Sequence, residues 1–397
     1  MQFVLNLTMK KFYQTAIVTF MVLISIMGSA QPVSYNALQH ELQTLQKQLV
    51  PDKRVAILEI TFKDTLQPVV VVKGETDIPD AKSRVLSFLK ERNLQFADSV
   101  RVLPDEAVGE KTWALGTLSV SNLRAQPDDA SELVSQVLMG TPLKVLDAGN
   151  KWYRVQTPEK YIGWMDAAGL QRLTTKEFNH WKKSERAVFN DLFGLSFETP
   201  DENSDVVSDL TLGDLFEITG RKGGFLKIRT PDGREAFVKK TDCLSFNEWV
   251  NIVPDAQSLL KVARKMTGLP YLWGGTSGKG ADCSGFTKTV FYSKGVILAR
   301  DASQQAKYGQ PLEISDWQNF QPGDLLFFGR SAERITHVGI YTGDSYFIHA
   351  SGKVHVSSLN PDDPKFVPER KLVAARRILG STGTEGIVNV KDHPWYN

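Results

Sequence analysis

Residues 271–286 read YLWGGTSGKGADCSGF, and the cysteine near the end of this run is the residue around which the rest of the chain can be ordered. Cys283 follows Asp282 and opens CSGFTKTVFYSKG, where Phe286, Val290 and Phe291 recur at helical spacing and Gly295 suits the position after a helix end. Cys283 is therefore expected at a helix N-terminus. Unpaired N–H groups and the macrodipole there favour a negative sulfur and lower the thiol pKa. The competing readings are a buried structural cysteine or a disulfide with Cys243, the other cysteine of the chain. Gly274 and Gly275 weigh against burial, because glycines permit close approach of a ligand to the backbone.

A thiolate needs a base, and His337 and His349 are the candidates, in adjacent predicted strands. Their separation, 349 − 337 = 12, is even and centred on Gly343. A hairpin turning on Gly343-Asp344 would set both imidazoles opposite each other on one face, where one takes the cysteine proton and the other orients the first. His355, in KVHVS, is a rival for the third place. The helical stretch AQSLLKVARKM, the Gly-rich turn and the strand-like runs GDLLFFG, THVGIYTG, SYFIHAS and KLVAARRIL make 255–380 an α+β unit.

DCSGF, PGDLLFF, HVGIY and FIHAS, in that order, resemble the NlpC-type cell-wall peptidases of the papain-like superfamily over about Ala256 to Ile378. The resemblance implies a helix carrying the nucleophile packed on an antiparallel sheet. It makes Cys283 the nucleophile, His337 the general base and His349 the orienting residue. It also places Tyr271 near the oxyanion, where its phenol and the backbone N–H of Cys283 would stabilise a tetrahedral intermediate.

Upstream, the sequence repeats itself. SELVSQVLMG begins at Ser131 and SDVVSDLTLG at Ser204, an offset of 204 − 131 = 73, and Trp152 falls on Phe225, Val155 on Ile228 and Thr157-Pro158 on Thr230-Pro231. Two copies of a small all-β unit are expected, over 111–173 and 190–247, joined by the linker TTKEFNHWKKSER. They resemble tandem bacterial Src-homology-3-type barrels. Before them, 31–110 reads as a small α/β region. RVAILEITF and PVVVVKG have the texture of strands, and Val85, Leu86, Phe88 and Leu89 lie at helical spacing. It carries no catalytic motif and is assigned a structural or docking role. The tail, 381–397, is expected to pack back through Trp395 and Tyr396 without a definite place.

This layout resembles the γ-D-glutamyl-L-diamino acid endopeptidases, which cut stem peptides that carry a free N-terminal L-Ala. A free ammonium in a closed pocket needs a carboxylate. By resemblance, Glu132 of the first barrel supplies one, with Tyr161 beside it (Tyr153 being the alternative) and Asp282 and Asp301 from the catalytic unit; Trp273 and Ser284 complete the substrate-binding set. Glu132 read alone is a surface charge, and Asp301 read alone is a helix N-cap. The implied reaction is acyl transfer through a thioester on peptidoglycan-derived stem peptides. An amidase or acyltransferase on the same fold, and a non-catalytic wall-binding protein, are the rival readings.

Lys10 and Lys11 precede the apolar run Ala16–Met27, 12 residues long, and Gly28-Ser29-Ala30 follows it. That is the plan of a secretory signal peptide over 1–30, too short for the ~20 residues of a membrane span. It predicts export to the periplasm or beyond with no stable membrane insertion after cleavage, and no cysteine lies near the cleavage point to carry a lipid. A net charge of +2 leaves no footprint for nucleic acid. The histidines lack a zinc-ligand spacing, so no metal or other cofactor is expected.

Overall fold

The computed structural model describes residues 35–63 and 69–397, with the side chain of residue 35 left aside; the signal-peptide reading lies outside them. Among the described residues no helix is long and apolar enough to cross a membrane.

The N-terminal unit contains a helix, Tyr35–Leu49, an antiparallel pair, Leu58–Lys63 with Val69–Thr76, a second helix, Pro79–Lys90, and a strand, Gln95–Val102, parallel to Val69–Thr76. The second helix is the crossover that a parallel pair requires. It buries Ala81, Val85 and Leu89 against Leu58, Ile60 and Val72. The first helix adds Leu38 and Leu42 from the other side of the sequence. The strand Gln95–Val102 went unread because its sequence, QFADSVRV, is largely polar and exposed.

Both barrels have one topology. In the first, Pro142–Gly149, Trp152–Gln156 and Ile162–Asp166 form an antiparallel meander, and its counterparts in the second are Leu215–Lys222, Phe225–Arg229 and Glu235–Lys239. The offset of 73 therefore holds strand for strand. It extends further upstream than expected, because Trp113–Gly116 is matched by Arg186–Phe189, so the second barrel begins at Arg186 rather than at 190. The joining segment is not a loose linker. Thr174 and Glu177 form a capping box that starts the helix Thr175–Lys183, and Phe178 and Trp181 bury one face of it. Ser245 and Glu248 repeat the device after the second barrel.

The catalytic unit packs the helices Ala256–Lys265 and Cys283–Tyr292 on a six-stranded antiparallel sheet. Leu259, Phe286, Val290 and Phe291 meet Leu325, Phe327, Val338, Ile340 and Ile348 in one core. Each fully buried side chain of this kind contributes ~1.5–3 kcal/mol, and this core fixes the height of the helix over the sheet. The tail has a definite place. Ile387–Asn389 pairs with Val296–Leu298, and the Tyr396 hydroxyl lies 3.1 Å from that of Tyr292. Trp395 meets Trp113 edge-on at 5.4 Å, and His393 Nε2 lies 3.1 Å from the Pro158 carbonyl oxygen. The tail thus ties the catalytic unit to the first barrel.

Candidate active site

Asp282 caps the helix that begins at Cys283. One carboxylate oxygen accepts the Gly285 N–H at 2.7 Å and the other accepts the Gly274 N–H at 3.1 Å. Arg300, almost wholly buried, grips the same carboxylate at 2.6 Å and reaches Ser135 and Ser284, each at 3.1 Å. Asp282 therefore lines the cleft with its charge already matched, which differs from the expectation that it faces a substrate amine. The Ser284 hydroxyl lies in the same network, 3.2 Å from Asp282.

Cys283 is buried at the foot of the cleft. Burial, and Asp282 beside it, push the thiol up to about 11. The helix terminus was expected to lower it, but the capping carboxylate offsets the positive end of the dipole. Cys243 stands on the strand Cys243–Ser245 of the second barrel, and both thiols are free, so the disulfide alternative is not realised here.

His337 and His349 lie on the strands Arg334–Gly343 and Tyr346–Ser351. The turn is the two-residue Asp344-Ser345, both with positive φ, not Gly343-Asp344, and the ladder slips at Tyr341/Gly343. The two histidines are consequently diagonal rather than opposite, and still on one face. A Cβ at Gly339 would stand 3.1 Å from the Cβ of His349, so the glycine makes room for that ring. His337 Nε2 lies 2.7 Å from His349 Nδ1, and His349 Nε2 lies 2.9 Å from the Ser357 hydroxyl. If His337 donates from Nε2 and His349 donates to Ser357, the Nδ1 of His337 is left as that ring's remaining acceptor. The His355 ring lies tilted against that of His349, centroids 4.4 Å apart, and His349, not His355, contacts His337. Burial, then Arg370 and His349, hold His337 down to about 2; burial, then His355 and Arg370, hold His349 down to about 3. Both shifts favour the uncharged forms, thiol and neutral imidazole.

A cleft of about 430 Å³ opens beside the sulfur. Tyr271 lines it, its phenol pushed up to about 12 by burial and by Cys283 and Asp282, and so remains a donor. Across the cleft, the indole N–H of Trp273 donates to Glu132 at 2.8 Å, joining the catalytic unit to the first barrel. Tyr161 lines the wall, its phenol pushed up by burial and by the nearby Asp301 carboxylate, whereas Tyr153 packs in the barrel beneath Arg172, away from the cleft. Asp301 caps the short helix Ala302–Gln305 and also faces the cleft, so both of its readings coexist.

Three participants went unread. Arg300 and Ser357 carry no motif, although Ser357 sits two residues from His355 on a strand and so shares its face. Arg54, from the N-terminal unit, bonds Asp301 at 2.8 Å and Ser303 at 3.1 Å and lines the cleft.

Residues 268–373 match the NlpC/P60 family, and residues 118–171 and 197–245 each match the bacterial SH3 domain. The chain is 30% identical over 261 residues to the γ-D-glutamyl-L-lysine dipeptidyl-peptidase of Bacillus subtilis, covering 62% of this chain and 81% of that one. It is 28% identical over 267 residues to dipeptidyl-peptidase 6 of Lysinibacillus sphaericus, covering 62% and 92%. The crystal structure of an NlpC/P60 family protein from Bacillus cereus shares the fold, with a TM-score of 0.59 at 24% identity over 67% of this chain and 99% of that one.

Proposed function

The chain belongs to the NlpC/P60 family of cysteine peptidases, and we propose that it hydrolyses the γ-D-glutamyl–diamino acid bond of short peptidoglycan stem peptides with a free N-terminal L-Ala. One observation carries this reading: Glu132 of the first barrel stands across the cleft from the nucleophile, bonded to Trp273. The cleft lining holds three carboxylates, Glu132, Asp282 and Asp301, against two guanidiniums, Arg54 and Arg300. That leaves room for one further positive charge, and the ammonium of an N-terminal residue, charged at neutral pH, supplies it. The barrel wall limits the cleft to a released peptide, since an acylated or muramylated N-terminus loses the ion pair and meets the wall.

In the reaction the Cys283 sulfur attacks the γ-carbonyl carbon as its proton passes to Nδ1 of His337. The Tyr271 hydroxyl and the Cys283 backbone N–H hold the oxyanion. His337 then gives its proton to the departing diamino-acid amine, the C–N bond breaks, and a thioester of the dipeptide remains. Water loses a proton to His337, attacks the thioester and releases L-Ala-D-Glu, the sulfur regaining its proton. His349 keeps the base in one tautomer throughout. We further propose that residues 1–30 direct export, so that the enzyme meets peptides outside the inner membrane.

The test is mass spectrometry of products from L-Ala-γ-D-Glu-diaminopimelate with a free and with an acetylated amine, using the native enzyme and Cys283→Ala. Cleavage after D-Glu of the free form alone, abolished in the variant, is expected. Equal cleavage of both peptides would remove the role of Glu132, and cleavage of neither would remove the reaction.

A further inference from the structure

The N-terminal unit was assigned no part in chemistry, yet it reaches the cleft. Arg54 forms a two-pronged pair with Asp52, Nε to Oδ1 at 2.8 Å and Nη2 to Oδ2 at 2.7 Å. Its remaining nitrogen, Nη1, donates to Asp301 Oδ2 at 2.8 Å and to the Ser303 hydroxyl at 3.1 Å. Asp52 is itself fixed from the catalytic unit, accepting the Gln304 side-chain amide at 2.9 Å. Arg54 is anchored by its backbone too, its carbonyl accepting the Ile162 N–H of the first barrel at 2.8 Å. One residue of the N-terminal unit thus touches the first barrel and the peptidase unit at the end of the cleft lined by Tyr161 and Asp301.

From this geometry we infer that Arg54 is a positioning residue for amine recognition, and that the N-terminal unit is a working wall of the substrate site. The inference rests on the free-amine reading above. Four of the five guanidinium N–H groups are engaged, so Arg54 is not itself a receptor for an anion. What it does is hold the Asp301 carboxylate: a planar fork clamped on Asp52 sets the direction of Nη1, and Nη1 sets the carboxylate. It shares its single charge between Asp52 and Asp301, so the lining stays net negative, at Asp301 as well as at Glu132. The Arg54 contact adds to a site that the first barrel and the peptidase unit also line.

Arg54→Gln and Asp52→Asn are to be compared with the native enzyme on free-amine and N-acetylated stem peptides, with iodoacetamide labelling of Cys283 and thermal midpoint as controls of folding. Arg54→Gln is expected to raise KM for the free-amine peptide about tenfold with kcat within about twofold, shrinking the discrimination between the two peptides by the same factor. Asp52→Asn, which loosens the clamp while leaving Arg54 in place, is expected to move KM in the same direction by less. Unchanged KM and discrimination in both variants, in an enzyme that natively discriminates, would overturn the inference. Absence of discrimination in the native enzyme would instead overturn the free-amine reading on which it rests.

Discussion

The Trp273 indole N–H and the Glu132 carboxylate meet at 2.8 Å across the boundary between the peptidase unit and the first barrel. Trp273 is 63% exposed, so this bond holds the rim of the cleft rather than its core. Glu132→Gln keeps an oxygen for the indole and removes only the charge. It is expected to raise KM for free-amine peptides by about 10–100-fold, with little effect on an acetylated peptide, as steady-state kinetics on the pair would read. A loss confined to kcat would contradict the assignment, since it would place Glu132 in the chemistry and not in binding.

His349 contacts His337 and Ser357 contacts His349, so in the proposed reaction each would act through the next. His349→Ala is expected to lower kcat about 10²–10³-fold, by analogy with loss of an orienting group in a triad. His349→Asn, which retains an acceptor, should recover part of it. Ser357→Ala should cost less than His349→Ala and mainly displace the acidic limb of the kcat profile. A Ser357→Ala profile superimposable on the native one would remove it from the relay.

The thiol is held up to about 11 and the imidazole of His337 down to about 2, so the substrate-free enzyme carries little thiolate at neutral pH. Iodoacetamide labelling of Cys283 should therefore quicken by roughly tenfold per pH unit from pH 6 to 8. A flat rate over that interval would reveal a resting thiolate–imidazolium pair instead.

Buried neutral imidazoles also bear on stability. Unfolded, each binds a proton near pH 6.5; folded, His337 and His349 resist it, and His393 is lowered by burial in the same sense. The unfolded chain then binds more protons below 6.5, so the stability due to these groups is intact above that pH and is lost as the pH falls towards their folded values. Each contributes up to about 1.4 kcal/mol per pH unit to the slope. Urea midpoints at pH 7, 6 and 5 should fall in that order, and less steeply for His349→Asn. Invariant midpoints would show that the histidines titrate freely in the folded enzyme.

Gly274 has φ of +79°, and a Cβ there would stand 2.2 Å from the Leu133 carbonyl oxygen of the first barrel. Gly274→Ala is expected to shift the barrel, break the Trp273–Glu132 bond and raise KM more than it lowers the Cys283 labelling rate. Native KM in the variant would show that the seam yields without consequence.

The sequence made one face of the catalytic sheet readable because a strand alternates with period two. The turn was misplaced by one residue, and a two-residue turn alone would have sent His337 and His349 to opposite faces; the slip at Tyr341/Gly343 restores the parity and keeps them on the same side. The repeat was readable for a related reason: its offset survives in every strand, including Arg186–Phe189, which a boundary at 190 had cut away. The protonation state of Cys283 was not readable. It depends on how deeply the sulfur is buried and on the carboxylate at the cap, whereas the sequence displays only the helix start. Arg54 was beyond reach altogether, since 247 residues separate it from Asp301 and no periodicity links separately folded units.

The cleft is enclosed by an N-terminal unit, a barrel and the peptidase unit, so its shape exists only while all three are docked. A peptide seated there recognises the docked arrangement and no part of it alone, and by mass action it strengthens that docking. Assembly and turnover are then coupled through a shared guest. While peptide is plentiful the guest helps to hold its hosts together. When it is exhausted, the seams alone bear the load, and the enzyme is easiest to pull apart when it has nothing left to cut.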